Sequence, residues 1–157
     1  MKKKLLFYSL IFFGTFLIDR LTKLWALTIL SSSPIPILPG LNLQLAWNRG
    51  VSWGLFSGAG RLGFYLLATI ILLIIIFFSL HTFFEYKKNR FIGFELFVLA
   101  GALSNLLDRL LFGAVIDFID CYAYHWHWPT FNIADAAIVI GIGGIIAKGL
   151  LWTDRVK

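Results

Sequence analysis

LGFYLLATIILLIIIFFSLHTFF, residues Leu62 to Phe84, is a stretch of the chain without a formal charge. A helix needs about 20 consecutive apolar residues to cross a hydrocarbon layer about 30 Å thick. The apolar run is continuous rather than alternating, which is typical of a membrane-spanning helix and not of a transmembrane strand. This stretch is therefore predicted to cross a membrane, and it sets the fold class that the rest of the chain must fit.

The composition of the whole chain also indicates a membrane protein. Of its 157 residues, 59% are hydrophobic and only 14% are charged. A soluble domain is about 45–50% apolar and about a quarter charged, so this chain has too few charges for an ordinary water-facing surface. We predict an α-helical integral membrane protein with four transmembrane helices, forming one membrane-embedded domain over residues 1–157. The predicted spans are about residues 5–25, 62–84, 91–110 and 133–152.

The first predicted span has an alternative interpretation. Basic residues from Lys2 to Lys4 followed by an apolar run are typical of a signal segment that is removed. No small-residue cleavage site closes this run, and Asp19 and Arg20 follow it directly. A retained helix is therefore favoured over a cleaved signal.

The basic residues predict the orientation of the chain. The net charge of +6 could indicate a nucleic-acid partner, but these residues lie at the ends and joints of the apolar stretches, as in cytoplasmic flanks of membrane spans. With both termini in the cytoplasm, nine basic residues lie inside and five outside. The nine are Lys2, Lys3, Lys4, Lys87, Lys88, Arg90, Lys148, Arg155 and Lys157, and the five are Arg20, Lys23, Arg49, Arg61 and Arg109. We predict cytoplasmic termini and no nucleic-acid partner.

A small extracytoplasmic β-platform is predicted over residues 31–60. Pro34, Pro36 and Pro39 exclude a helix at its start. From Leu41 to Trp47, leucines and the tryptophan alternate with more polar or smaller residues, which is the period of a half-buried strand. The second outer connection, about residues 111–130, is rich in aromatic residues and is expected to lie at the membrane interface.

The acidic residues collect on the outer side of this topology. Asp19 falls near the outer end of the first span, Asp108 at the outer end of the third, Asp117 just beyond it, and Asp135 at the start of the fourth. An ionisable side chain near lipid is costly and marks a candidate functional site. Asp19 and Asp108 have basic neighbours, so structural ion pairs or caps are expected for them. Asp120, among aromatic residues in the outer connection, is expected to be solvated.

Asp117 and Asp135 differ from the other acids because apolar residues flank them and no cation is adjacent. In a low dielectric one member of such a pair keeps its proton, and two carboxyls sharing a proton can do acid and base work. The resulting hypothesis is an intramembrane aspartic hydrolase. The residues alone leave open an alternative in which Asp135 is an ordinary anion at a helix N-terminus.

Other chemistries have weaker support. His125 and His127 flank Trp126 without the helical HExxH spacing of a zinc site, so interfacial histidines are expected rather than metal ligands. Cys121 is the only cysteine, which excludes an internal disulfide, and an apolar filler is expected rather than a nucleophile. Ser104 is expected to pack between helices. We predict no metal and no cofactor.

A small proton-coupled transporter is the alternative function. Such a protein needs its acid near the membrane midplane, accessible from both sides. The acids of this chain lie at the outer edge, and the middle of every predicted span is apolar. A non-catalytic membrane scaffold, the third class, predicts no polar pocket.

Many polar residues of the outer side occur in five motifs, which follow one another along the chain. They are Asp19-Arg20-Leu21-Thr22-Lys23, Asn48-Arg49-Gly50-Val51-Ser52-Trp53-Gly54, Gly101-Ala102-Leu103-Ser104-Asn105-Leu106-Leu107-Asp108-Arg109, Val115-Ile116-Asp117-Phe118 and Phe131-Asn132-Ile133-Ala134-Asp135. In these motifs the chain resembles bacterial lipoprotein signal peptidase, also called signal peptidase II, over nearly its whole length. Arg20 stands where that family usually has Gln, and Ser104 stands where it usually has Gly.

The resemblance implies roles for individual residues. It implies an aspartic endopeptidase with Asp117 and Asp135 as the catalytic pair. The residues implied to bind substrate are Asn48, Asn105, Arg109 and Asn132, and those implied to give structural support are Asp19, Lys23 and Asp108. The implied fold has four transmembrane helices and an extracytoplasmic β-cradle.

The resemblance also implies a substrate and a location. The substrate is a prolipoprotein whose cysteine carries a diacylglyceryl group, and cleavage of the signal peptide occurs just before that cysteine. The implied location is the bacterial cytoplasmic (inner) membrane, with the active site on the extracytoplasmic side and in contact with membrane lipids. Sensitivity to the cyclic peptide globomycin is implied as well, whereas a metal and a particular oligomeric state are not.

Overall fold

The computed structural model describes residues 2–30, 33–50 and 60–153. The elements in this part are α1 (Lys2–Ile29), β1 (Ile35–Leu38), β2 (Leu41–Asn48), α2 (Gly60–Lys87), α3 (Gly93–Phe112), β3 (Val115–Ala123), β4 (Trp126–His127) and α4 (Ile133–Thr153). Parts of the predicted platform, and residues 51–54 of the motif that begins at Asn48, lie outside the described residues.

Three of the described helices are long and apolar enough to cross a membrane: Lys2–Ile29, Leu62–Lys87 and Ile133–Leu151. Many of their leucine, isoleucine and phenylalanine side chains face outward, with Phe77 66% exposed and Leu150 68% exposed. Such surfaces are unfavourable in water and favourable against lipid chains. The protein is therefore a helical membrane protein that also carries a small antiparallel sheet.

Helix α3 corresponds to the third predicted span and lies in the centre of the molecule, packed against α1, α2 and α4. It carries three charged residues, Glu95, Asp108 and Arg109, and all three are buried. Because these groups face neighbouring helices, α3 holds the polar interior while the other three helices present apolar surface outward.

Close packing of α3 against α4 depends on Gly101. A Cβ atom at this position would lie 2.5 Å from the backbone carbonyl oxygen of Ala134. Small residues at a helix interface let two backbones approach closely. The start of α4, with Asp135, is therefore held directly against the middle of α3.

Gly113 ends α3 and turns the chain into the sheet. Its φ of 70° is left-handed, and its N–H donates to the carbonyl of Arg109 at 2.9 Å. Glycine adopts this conformation without the strain that a Cβ would cause. The turn leads into β3, which carries Asp117.

The sheet has the order β1-β2-β3-β4 with antiparallel neighbours. Strand β2 confirms the strand predicted from Leu41 to Trp47. Strand β3 was not predicted, because residues 111–130 were expected to be an aromatic connection at the interface. In the β2–β3 register, Ala46 lies opposite Asp117 and Asn48 lies opposite Val115.

The sheet is seated on the ends of two helices. Ala26 and Leu30, at and just beyond the end of α1, form a buried apolar cluster with Phe118 of β3. Residues of β1, β2, β3 and the first turn of α4 pack around this cluster: Ile35, Leu43, Leu45, Ile119 and Ile133. This packing places β3 beside the start of α4, and so brings the regions of Asp117 and Asp135 together.

Candidate active site

A cavity of about 890 Å³ opens between the sheet, α3 and α4. Its polar lining includes Asn48, Arg109, Asp117 and Asp135. Its apolar lining comes mainly from tryptophans of the sheet region and from one face of α4: Trp47, Trp128, Ile138, Val139 and Ile140. A cavity with a few converging polar groups in an apolar wall is the usual form of a substrate site.

Asp117 lies on β3 and is 1% exposed. Its Oδ2 accepts a hydrogen bond from Nδ2 of Asn48 at 3.0 Å, and its Oδ1 accepts one from Nδ2 of Asn132 at 2.7 Å. Burial and, to a smaller extent, the negative charge of Asp135 raise the pKa of Asp117 to about 7, against the lowering effect of the two amides and of Lys23. Asp117 can therefore hold or release a proton near neutral pH.

Asp135 lies in the first turn of α4, where its carboxylate has two kinds of partner. Oδ2 accepts from the backbone N–H of Asn132 at 3.2 Å, and the backbone N–H of Asp135 donates to Oδ1 of Asn132 at 2.9 Å. This reciprocal pair is a capping box, with Asn132 as the N-cap. The Oδ1 atom of Asp135 accepts from Nδ2 of Asn105 at 2.8 Å. Asp135 thus serves as a helix N-terminal anion and also lines the cavity.

Asn132 and Asn105 join the two aspartates into one hydrogen-bonded network. Nδ2 of Asn132 lies within hydrogen-bonding distance of Asp117 and, at 3.2 Å, of Oδ1 of Asn105. Asn132 is fully buried and Asn105 is 7% exposed. Both amides lie behind the carboxylates, whereas Asn48 and Arg109 line the cavity itself.

A buried ionic cluster of Asp19, Lys23 and Asp108, called the Lys23 cluster below, supports this network. Nζ of Lys23 lies 2.8 Å from Oδ2 of Asp19, 2.8 Å from Oδ2 of Asp108 and 2.7 Å from Oδ1 of Asn105. All three members of the cluster are 0% exposed. Lys23 donates all three of its N–H bonds, and a buried charge is stable only when it is paired in this way.

The Lys23 cluster holds the backbone next to each candidate catalytic residue. Oδ1 of Asp19 accepts from the backbone N–H of Ala134 at 2.7 Å, one residue before Asp135. Oδ2 of Asp108 accepts from the backbone N–H of Ile116 at 3.3 Å, one residue before Asp117. The cluster therefore connects the backbone before Asp117 with the backbone before Asp135, through side chains of α1 and α3.

Arg20 and Ser104 both contact the Lys23 cluster. Arg20 forms an ion pair with Oδ1 of Asp108, and Oγ of Ser104 donates to Oδ2 of Asp19 at 2.6 Å. Arg20 balances the second negative charge of the cluster. Ser104, expected to pack between helices, also donates a buried hydrogen bond that a glycine at this position could not make.

Arg109 lies at the edge of the cavity and is 8% exposed. Its Nη2 donates to the carbonyl of Gly50 at 2.9 Å, and its Nη1 donates to the carbonyl of Asn105 at 3.2 Å. Its Nε has no hydrogen-bond partner among the described residues. Arg109 therefore ties the end of β2 to α3 and keeps one unused donor.

The expectation of a solvated Asp120 is wrong. Asp120 is 1% exposed and accepts hydrogen bonds from Asn42 and His127. Neighbouring aromatic residues in the sequence indicated an interface, but β2 and β4 cover this part of β3.

Within residues 2–30, 33–50 and 60–153, no three His, Cys, Asp or Glu side chains are arranged to hold a metal ion.

Comparison with known proteins shows the family to which the chain belongs. Residues 11–151 match the family described as signal peptidase (SPase) II. The lipoprotein signal peptidase of Thermodesulfovibrio yellowstonii is 42% identical over 151 residues, covering 96% of this chain and 99% of that protein. That of Blochmanniella pennsylvanica is 44% identical over 129 residues, covering 80% and 78%. A bacterial membrane enzyme solved by the in meso method at 2.3 Å resolution superposes with a TM-score of 0.76 at 31% identity, covering 96% of this chain and 91% of that one.

A helical membrane fold with a buried carboxylate, Asp117, and a half-buried one, Asp135, in the same cavity is the arrangement expected of a membrane-embedded aspartic peptidase. The chain belongs to the signal peptidase II family. Its activity is that of a lipoprotein signal peptidase, a hydrolase of the bacterial inner membrane that acts on prolipoproteins. The alternative of a proton-coupled transporter is not supported.

Proposed function

We propose that Asp117 and Asp135 are the catalytic pair of this peptidase, and that they cleave diacylglyceryl-modified prolipoproteins just before the lipidated cysteine. The observation that carries the proposal is that both carboxylates line one cavity and are linked through Asn132 and Asn105. In such a network one carboxyl can keep a proton while the other is ionised.

The proposed reaction uses water as the nucleophile. The ionised member of the pair takes a proton from the water, whose oxygen attacks the scissile carbonyl carbon. The protonated member donates a hydrogen bond to the carbonyl oxygen, and a tetrahedral gem-diol forms. The C–N bond then breaks as the amine of the cysteine receives a proton from one carboxyl, while the gem-diol returns a proton to the other. The raised pKa of Asp117, about 7, supports the sharing of one proton at neutral pH.

Substrate binding is proposed to fall mainly to Asn48 and Arg109. Both line the cavity, and the unused Nε–H of Arg109 can donate to a substrate carbonyl. As a permanent cation, Arg109 cannot act as the general base. Substrate binding by Asn105 and Asn132 stays a prediction, and their contacts with the aspartates support a positioning role. The apolar face of α4 at Ile138 and its neighbours suits the acyl chains of a lipidated substrate.

The membrane arrangement is also a proposal. We infer that α3 is the fourth transmembrane helix of a single domain, because it packs between the other three. The cavity lies at the end of the molecule where Asp19 is found, whereas Tyr8 near the start of α1 contacts Tyr86 and Phe91 at the opposite end. With both termini in the cytoplasm, the catalytic pair faces the extracytoplasmic side, as the distribution of basic residues predicts.

Cleavage of a diacylated lipobox peptide by the purified protein, with a chelator present, tests the catalytic pair. Asp117→Asn and Asp135→Asn should insert and fold, yet lose at least about 1,000-fold in kcat, because neither amide can exchange a proton with the water. Glu85→Gln is the matched control, since Glu85 pairs with Arg90 at the opposite end of the molecule. Near-normal turnover by either aspartate variant would reject the assignment.

A further inference from the structure

A second cluster of polar side chains lies on the sheet and is not used by the proposed reaction. Asp120 of β3 is buried, and Nδ1 of His127 lies 2.8 Å and 3.0 Å from its two carboxylate oxygens. Nδ2 of Asn42 donates to Oδ2 of Asp120 at 3.3 Å. A carboxylate only accepts hydrogen bonds, so Nδ1 of His127 carries a proton and donates it. A charge-assisted bond is stronger than one between neutral groups, and solvent reduces this difference because the His127 side chain is 52% exposed.

The ring of His127 is held from a second side as well. It stacks on Tyr122, with the ring centroids 5.3 Å apart and an interplanar angle of 22°. Tyr122 and His127 are also register partners in the β3–β4 pair. Strand β4 has only two residues, so its backbone bonds alone hold it weakly and side-chain contacts contribute a larger share.

The segment that follows β4 forms one wall of the active-site cavity. Trp128, Pro129, Thr130 and Phe131 all line it. This wall is attached to β3 near both ends: the N–H of Trp128 donates to the carbonyl of Cys121 at 2.8 Å, and the N–H of Phe131 donates to the carbonyl of Ile119 at 3.0 Å. His127 comes directly before Trp128, which makes the first attachment. The bond between His127 and Asp120 therefore helps to fix the position at which the wall begins.

We propose that Asp120 and His127 form a clamp that sets the position of the cavity wall 128–131, and thereby how tightly the enzyme binds the peptide next to the scissile bond. This inference rests on the proposed function, since it requires the cavity to be the substrate site. Asp120 and His127 are positioning residues, because they act through the wall. A displaced wall weakens binding of substrate and transition state alike, which raises KM and leaves kcat in place.

Variants of His127 in the full-length purified protein test the clamp. His127→Phe keeps a ring on Tyr122 and removes the bond to Asp120, so we expect KM for a diacylated lipobox peptide to rise roughly tenfold with kcat within about twofold. His127→Asn places an amide N–H near the position of Nδ1 and should recover part of the lost affinity. His125→Phe is the matched control, an exposed histidine two residues earlier, and should leave both constants unchanged.

Several results would overturn the clamp. These are a fall in kcat with KM unchanged, an equal effect of His125→Phe, or no recovery in His127→Asn. If His127→Phe does not fold, Asp120→Asn, which keeps the shape of the side chain, decides by the same two constants. Asp117→Asn in the same assay separates the two proposals. If this variant keeps its turnover, the catalytic pair is rejected. If it loses its turnover while His127→Phe has a normal KM, only the clamp is rejected.

Discussion

At the scale of single residues, Asp117 and Asp135 have different surroundings although both line one cavity. Asp117 is buried in a strand and is held by two side-chain amides. Asp135 is fixed by a capping box at the start of a helix, and one oxygen remains directed to Asn105. Different environments for two carboxyls are the usual means by which one acts as acid and the other as base.

The raised pKa of Asp117 predicts how activity depends on pH. The ordinary pKa of 3.8 becomes about 7 in the folded protein, so folded Asp117 stays protonated across that interval. As the pH rises beyond about 7 the pair in the free enzyme loses its shared proton, and kcat/KM should fall by about tenfold per pH unit. Measurement of kcat/KM between about pH 5 and pH 9 checks this, and a value that stays flat to pH 9 would contradict it.

The same shift has a consequence for stability. Between pH 3.8 and about 7, the folded state binds more protons at Asp117 than the unfolded state does. The contribution of this residue to the free energy of unfolding therefore falls as the pH rises through that window. The site is destabilising at neutral pH, as is common where a carboxyl is buried for function.

At the scale of elements, α3 is the helix whose environment is least evident from its composition. Its charged residues would be costly against lipid, yet Asp108 is paired with Lys23 and Arg20 of α1, and Glu95 is paired with Lys148 of α4. These partners are far apart in the sequence. The sequence therefore predicted a span at α3, but it did not predict that α3 is the central helix.

Gly101 offers a test of how α3 and α4 hold the site together. Gly101→Ala places a methyl group against the carbonyl of Ala134, so α4 must shift, at a cost of about 1–3 kcal/mol. Because Asp135 stands next to Ala134, kcat should fall together with the thermal unfolding midpoint in detergent. Gly143→Ala in α4 is the control, since a Cβ there meets nothing within 4 Å. Equal behaviour of the two variants would contradict the predicted contact.

Strand β3 was missed by sequence reasoning for a physical reason. Val115, Ile116, Asp117 and Phe118 are consecutive and all buried, so the alternation that marks a half-buried strand is absent. The strand contacts α1 and α3 as well as its neighbours β2 and β4. Strand β2, which is only partly buried along most of its length, kept a visible alternation and was predicted.

At the scale of the whole molecule, the site is held by α1, β2, α3, β3 and α4, which are far apart in the sequence. The Lys23 cluster joins α1 to α3 and reaches the backbone before both aspartates. Asn48 comes from β2, Asn105 from α3 and Asn132 from the start of α4. Such preorganisation keeps catalytic groups in place without help from the substrate.

The proposed orientation can be checked with two single-cysteine variants made after replacing Cys121 by serine. Tyr124 in the β3–β4 turn and Asn89 after α2 are both exposed, and their φ values of 55° and 56° make them a matched pair. In intact spheroplasts, a membrane-impermeant maleimide should label Tyr124→Cys and spare Asn89→Cys until the membrane is opened. The reverse pattern would invert the orientation.

The sequence by itself determined the membrane class, three of the apolar helices, strand β2 and, through five motifs, the family. These features are local, because an apolar run or a motif shows in consecutive residues. Only the tertiary structure decided that Asp120 is buried, that Arg20 and Ser104 both serve the Lys23 cluster, and that Asn132 links the two aspartates. Each of these depends on side chains brought together from distant segments, and the free energy of such contacts comes from burial and pairing that no single segment contains.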